Sequence, residues 1–282
     1  MRSLHQFAFV GLGGALGSLT RLGLGEVATA PTVGTVIANI VGSLALGLLM
    51  HEPRPERVSW FAATGFCGGL TTMSLFALEA VAGASVAPIG VVIGFVVISV
   101  GLGLVAFAGG RNVGPSQRLS TSPLSTVMTA LVVIFVVLGL VSGLANSADY
   151  GGAFLSWFLG AAAVGAGLRG ALSAKGSFNT QLIAILAINI VGAFLLGLTS
   201  PLFDVEVFPG FSNTGVLRSG ANTSAIIFGA GALGAFTTFS TAIAQLERID
   251  RETGRIKAVA VLLVMFALII GAAALGRLIG PL

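Results

Sequence analysis

Charged side chains are scarce in this chain of 282 residues: 14 Lys and Arg and 10 Asp and Glu, or 9%. A soluble domain carries about a quarter. Hydrophobic residues make up 55% and the mean hydropathy is +1.02, leaving too little polar surface for a water-facing monomer. The single cysteine, Cys67, excludes a disulfide framework and any multi-cysteine metal site. His5 and His51 lie at a terminus and in a loop, so no histidine cluster is expected. No carboxylate stands at the centre of an apolar stretch. Glu26, Glu79 and Glu247 all fall at stretch ends, which argues against a proton-coupled carrier built on a mid-membrane acid. No nucleophile–base pair or GK[ST] phosphate loop points to an enzyme. No cleavable signal peptide is expected, because Arg21 and Glu26 follow the first apolar segment where small residues would be needed.

The charges are also clustered. No Asp, Glu, Lys or Arg lies between Glu79 and Arg111, Arg118 and Asp149, Lys175 and Asp204, or Arg218 and Glu247. Each gap exceeds the roughly 20 residues that cross a bilayer as a helix. The expected fold is an all-α integral membrane protein with nine spans, at 4–25, 33–50, 58–82, 86–109, 125–145, 152–174, 179–200, 221–246 and 257–279. If these spans alternate, Arg2, Arg54, Arg57, Arg111, Arg118, Lys175, Arg248, Arg251, Arg255 and Lys257 share one side. Only Arg218 and Arg277 fall on the other. Ten against two puts the N-terminus in the cytoplasm and the C-terminus outside a cell membrane. The net charge of +4 thus reads as topology and implies no nucleic-acid partner.

The 41 glycines suit close helix packing in lipid, and they expose a repeat. "GLGGALGSLTR", ending at Arg21, matches "FLGAAAVGAGLR", ending at Arg169. "IANIVGSLALGLL" around Asn39 matches "LAINIVGAFLLGL" around Asn189. "GFCGGLTTMSLFALE" matches "GAGALGAFTTFSTAIAQLE". The offsets are 148 residues from Arg21 to Arg169, 150 from Asn39 to Asn189 and 166 from Thr71 to Thr237. The last jump places an extra loop with Asp204, Glu206, Pro209 and Arg218 in the second half. Four spans per repeat return the chain to its starting side. The unmatched span 125–145 therefore flips the second repeat, giving an inverted-topology pair with a site near the midplane. The expected organisation is a first repeat over 1–110, a linker with the inverting helix over 111–148 and a second repeat over 149–282.

The third span of each repeat places glycines and paired threonines in mid-membrane, where the helix is expected to break. Freed carbonyls are tolerated there only against protein, a cavity or an ion. Asn39 and Asn189 read either as interhelical hydrogen-bond donors or as pathway amides. Arg21 and Arg169 read either as cations reaching the interface or as charges of an anion-attracting vestibule.

Together these motifs resemble the CrcB/Fluc fluoride channels, in a fused, two-domain form. The resemblance covers spans one to four and six to nine. It implies a structural Na+ held by the carbonyls of Gly68, Thr71, Gly234 and Thr237. It also implies fluoride pathways lined by Asn39, Asn189, Thr72, Ser74, Thr238, Ser240, Ser99 and paired phenylalanines. At those paired positions this chain has Met73 and Phe76 in the first half and Phe239 and Ala242 in the second. If each pathway joins the first position of one half to the second of the other, Phe239 and Phe76 form an intact pair. Met73 and Ala242 then mark a degenerate pathway. The resulting expectation is a passive, fluoride-selective channel that works as a single fused chain. The alternatives are an inverted-repeat transporter of a small solute or drug, and a non-conducting subunit.

Overall fold

The computed structural model describes residues 2–28, 31–113, 122–173, 177–200 and 223–280. Of the sorted cations, Arg118, Lys175 and Arg218 lie outside these residues, as does the loop with Asp204, Glu206 and Pro209. Among the described residues nine helical stretches are long and apolar enough to cross a membrane, and no strand forms. The protein is a multi-pass membrane protein. The helices are α1 (Arg2–Val27), α2 (Pro31–Met50), α3 (56–70) and α4 (Ser74–Val86). Next come α5 (Ile89–Val113), α6 (Pro123–Asn146), α7 (Phe154–Ser173) and α8 (Phe178–Thr199). The chain ends with α9 (223–236), α10 (Ser240–Thr253) and α11 (Arg255–Ile279). Caps follow from local sequence: Ser122 accepts from Ser125 N ahead of Pro123, and Ser177 accepts from Thr180 N. Gly254 closes α10 at φ 93°, backbone that other residues rarely adopt.

Glycine decides which helices touch. In the first half, a side chain at Gly17 would collide with Phe66 O of α3, and one at Gly165 would collide with Ala232 O of α9. Gly47 and Gly110 bring α2 against α5, as Gly197 and Gly276 bring α8 against α11. These helix contacts thus recur in both halves. They meet along α1 and α7, where Phe7 faces Gly167, Val10 faces Gly170, Gly11 faces Ala163 and Gly14 faces Ala166. One turn further along α1, from Phe7 to Gly11 and from Val10 to Gly14, the partner falls from Gly167 to Ala163 and from Gly170 to Ala166, so the first helices of the two halves run antiparallel. The unmatched helix α6 leans on α1 through Gly139 and Gly143. Its remaining surface, with Leu124, Val127, Leu131, Val133, Ile134 and Val137, is exposed and apolar, suited to lipid.

The nine spans fall within a few residues of those expected, except that the third and eighth run on to Val86 and Thr253. Glu79 therefore does not end its span. It is buried two turns inside α4. Glu247 stands where α10 leaves the apolar zone and pairs with Arg251 at 2.9 Å.

The glycine contacts separate two classes of site. Gly17→Val should lower the Tm of detergent-solubilised protein by several degrees, about 2 kcal/mol or more, by overpacking. Gly94→Val, with open space around it, should leave Tm within a degree. Thermal unfolding of the two variants checks this.

Candidate functional site

The two broken spans cross at the centre of the molecule. Each approaches through a π-helical stretch, Ser59–Cys67 and Ile226–Leu233. Each then opens at a threonine in extended geometry: Thr71 at φ −94°, ψ 150°, and Thr237 at φ −89°, ψ 164°. Threonine favours the break because its hydroxyl competes for the preceding turn. Thr71 Oγ1 donates to Cys67 O at 3.0 Å and Thr237 Oγ1 to Leu233 O at 3.2 Å.

Each break is repaired by an asparagine from the neighbouring second helix. Asn39 Nδ2 donates to Thr72 O at 3.2 Å, and its Oδ1 accepts from Thr72 N at 2.9 Å. Asn189 does the same for Thr238, at 3.1 and 2.9 Å. A carboxamide presents donor and acceptor side by side, so it pairs with both backbone polar groups of the residue after the extended threonine. Hydroxyls tie the breaks to each other. Thr71 Oγ1 lies 3.0 Å from Ser240 Oγ, and Ser74 Oγ lies 2.9 Å from Thr237 Oγ1. Thr71, Thr72, Ser74, Thr237, Thr238 and Ser240 are all fully buried.

Both first-helix arginines reach this crossing. Neither ends its helix, since α1 continues to Val27 and α7 to Ser173. Arg21 Nη1 donates to Gly69 O and, at 3.3 Å, to Gly234 O across the interface; Nη2 donates to Ala230 O. Arg169 Nε donates to Ala235 O at 3.0 Å. Glycine lies opposite both groups: a Cβ at Gly68 would displace the guanidinium of Arg169, and one at Gly234 that of Arg21. Arg169 also lines a cavity of about 460 Å³ that gathers the ends of α1, α2, α3, α7, α8 and α10 on the N-terminal face.

Beside the crossing, Phe76 and Phe239 lie with ring centroids 5.7 Å apart. Two further rings close around them. Phe95 of α5 stacks on Phe76 at 5.1 Å, and Phe266 of α11 meets Phe76 edge-on at 5.8 Å and Phe239 at 6.4 Å. One helical turn beyond Phe76, Glu79 Oε1 accepts from Thr35 Oγ1 at 2.6 Å, and Oε2 has no partner.

The model of the family described as "CrcB-like protein, Camphor Resistance (CrcB)" matches residues 8–111 and again 155–277. The chain belongs to the CrcB family. Its two matched regions make it a tandem, two-domain member. Among curated relatives, the fluoride-specific ion channel FluC of Paracoccus denitrificans is 39% identical over 117 residues, covering 39% of this chain and 94% of that protein. FluC of Methanopyrus kandleri is 37% identical over 115 residues, 38% of this chain and 86% of its own length. FluC 2 of Rhodococcus jostii is 45% identical over 75 residues, 26% and 66% respectively. A nearly whole relative thus corresponds to less than half of this CrcB chain. No solved structure matches it.

Of the residues expected along a CrcB pathway, the asparagines and the Thr72, Ser74, Thr238 and Ser240 set meet at the crossing, and Phe76 meets Phe239. Ser99 is buried on α5, one turn from Phe95 and outside the hydroxyl network. Met73 and Ala242 are buried in the same apolar cluster as the rings. Both arginines are buried, Arg21 against the carbonyls of Gly69, Gly234 and Ala230 and Arg169 against Ala235 O beside the cavity of the N-terminal face. Phe95, Phe266 and the Thr35–Glu79 pair were not anticipated. For Phe95 a signal existed, its spacing of one turn from Ser99; Phe266 has valine, Val100, at the equivalent position of the first half, so no repeat marks it. No cluster of His, Cys, Asp or Glu for a metal forms among the described residues.

The asparagine clamps are open to a direct test. Asn39→Ala leaves the buried N–H and C=O of Thr72 without partners, at about 1–3 kcal/mol each. The expected result is a large drop in Tm and loss of any transport activity, whereas Asn39→Gln should recover neither fully. Thermal unfolding and reconstituted flux are the measurements.

Proposed function

We propose that this protein is a passive, fluoride-selective channel that lets cytoplasmic fluoride leave the cell. The observation that carries the reading is the buried crossing of two broken helices beside the Phe76–Phe239 pair, in a chain whose CrcB relatives are named fluoride-specific ion channels. Aromatic edges carry partial positive charge, and hydroxyl and amide donors replace part of the water around a small anion. An inside-negative potential drives such an anion outward at about 2.3 kcal/mol per 100 mV. The orientation rests on the basic residues of the N-terminal face, and the inverted arrangement of the halves on the antiparallel contact of α1 and α7. On this reading the chain needs no second copy, since both halves of the interface are already joined.

One pathway is competent and the other degenerate. Phe76, Phe239, Phe95 and Ser99 line the first. The repeat-equivalent positions of the second read Ala242, Met73, Val261 and Met265, without a hydroxyl or an aromatic edge. Met73, Ala242 and Met265 are buried in continuous apolar packing.

A resident sodium ion fits the chemistry of the crossing. The extended geometry at Thr71 and Thr237 turns their carbonyls out of the flanking helical ladders, and neutral oxygens without carboxylates suit a weakly held monovalent cation better than calcium. Gly234 O would share that cation with Arg21. When bound, sodium supplies fixed positive charge beside the anion path.

The buried Glu79 carboxyl is the one observation that favours a proton-linked carrier instead. Efflux from liposomes under a potassium diffusion potential separates the readings. Fast electrogenic fluoride flux, with chloride excluded and no proton gradient needed, is the expected outcome; strict dependence on a proton gradient would favour the carrier, and no flux the inert subunit. Phe76→Ile and Phe239→Ile should each cut fluoride flux at least about tenfold, whereas Met73→Ile should leave it unchanged. Equal tolerance of all three would sink the single-pathway reading.

A further inference from the structure

Four phenylalanines gather beside the crossing. The ring centroids of Phe76, Phe239 and Phe266 form a triangle with sides of 5.7, 5.8 and 6.4 Å. Phe95 stacks on Phe76 at 5.1 Å, with an interplanar angle of 25°. These are contact distances for phenyl rings. Phe76 and Phe239 are fully buried and Phe266 is 4% exposed. The repeat-equivalent residues of Phe76, Phe239, Phe266 and Phe95 are Ala242, Met73, Val100 and Val261, none of them aromatic. A fifth position follows the same division. A Cβ at Gly103 would lie 2.6 Å from the Phe239 ring, and the residue equivalent to Gly103 is Ile269, fully buried.

Core packing alone does not require this grouping. Aliphatic side chains fill an apolar core as well as rings do, and Met73, Ala242 and Val100 are buried in the same apolar cluster. Geometry gives the two outer rings different tasks. Phe95 lies nearly parallel to Phe76 and covers its face. Phe266 stands at 88° to Phe76 and at 78° to Phe239, so one ring of α11 spans a pair drawn from both halves. A ring set across two neighbours blocks the rotation of both, since close packing leaves no room for an edge to swing.

We propose that Phe266 is a specificity-determining residue: it sets how far Phe76 and Phe239 can part, and so the size of the anion that passes between them. The proposal rests on the fluoride-channel reading and adds to it a residue that the repeat does not mark. An anion moving between two rings in contact must spread or turn them. Chloride is larger than fluoride and must spread them further. Phe266 has no polar atom, so it acts through the positions of its neighbours. Its effect is read as discrimination between anions.

The test separates position from stability. Phe266→Val installs the side chain that Val100 has at the equivalent position. In reversal potentials of reconstituted protein, its chloride-to-fluoride permeability ratio should rise at least about tenfold, with fluoride flux retained. Phe266→Leu should raise the ratio less, because leucine restores part of the lost volume. Phe107→Val truncates a fully buried ring three turns beyond Phe95 on α5. It should lower Tm comparably and leave the ratio unchanged. An unchanged ratio in folded Phe266→Val, or an equal rise in Phe107→Val, would overturn the proposal. Ring freedom is read without conduction. With 3-fluorophenylalanine at position 76, fluorine NMR should show ring turnover at least about tenfold faster in Phe266→Val than in the parent protein. Equal turnover would also overturn it. Absence of fluoride flux in the parent protein, with turnover accelerated as expected, would strike the channel reading and leave the positioning role of Phe266 standing.

Discussion

A backbone that leaves its helix inside a membrane must find new partners for every N–H and C=O, because lipid offers none. Two helices of this protein break at mid-depth, and the rest of the architecture serves those breaks. Asn39 and Asn189 each clamp both polar groups of one threonine. The clamps require α2 and α8 to come close, which Gly42 and Gly192 allow by admitting the methyl groups of Thr71 and Thr237. The hydroxyls of each half complete the break of the other, and Arg21 bridges carbonyls of both. Remove the clamps and the crossing loses the geometry that sets its neighbours.

Fusion of two repeats into one chain changes what selection can do with this design. Residues at equivalent positions are encoded separately, so Phe76 and Phe239 can stand where the other half has Ala242 and Met73. The two arginines differ in their partners, Arg21 meeting three carbonyls and Arg169 bonding Ala235 O through Nε. The parts that do not diverge are those that hold the crossing together: the asparagine clamps, the paired threonines and the glycines that seat the helices. Symmetry survives where backbone satisfaction demands it.

Much of the fold was legible in the chain. Long gaps between charges are a direct reading of the bilayer, since a charge at mid-depth is expensive. The breaks at Thr71 and Thr237 were legible because glycines and paired threonines recur at matching places. The pairing of Phe76 with Phe239 was expected only from the resemblance to the fluoride channels. Glu79 was misread because its span runs past it, and the sequence marks the end of a helix less clearly than its apolar core. Phe95 and Phe266 were missed because each has valine at its repeat-equivalent position, and repetition was the signal in use.

The sequence by itself determined the number of spans, the duplicated plan, the positions of the two breaks and the sorting of basic residues. These depend on local composition and periodicity, which hydrophobic thickness and backbone chemistry translate directly. Tertiary structure alone decided what each polar group in the interior does. What a buried asparagine clamps, which carbonyls an arginine meets and which rings close around Phe76 all depend on partners outside the residue's own helix, from Phe95 against Phe76 to Gly234 against Arg21. Such partners are chosen by close packing, and packing is a property of the assembled helices.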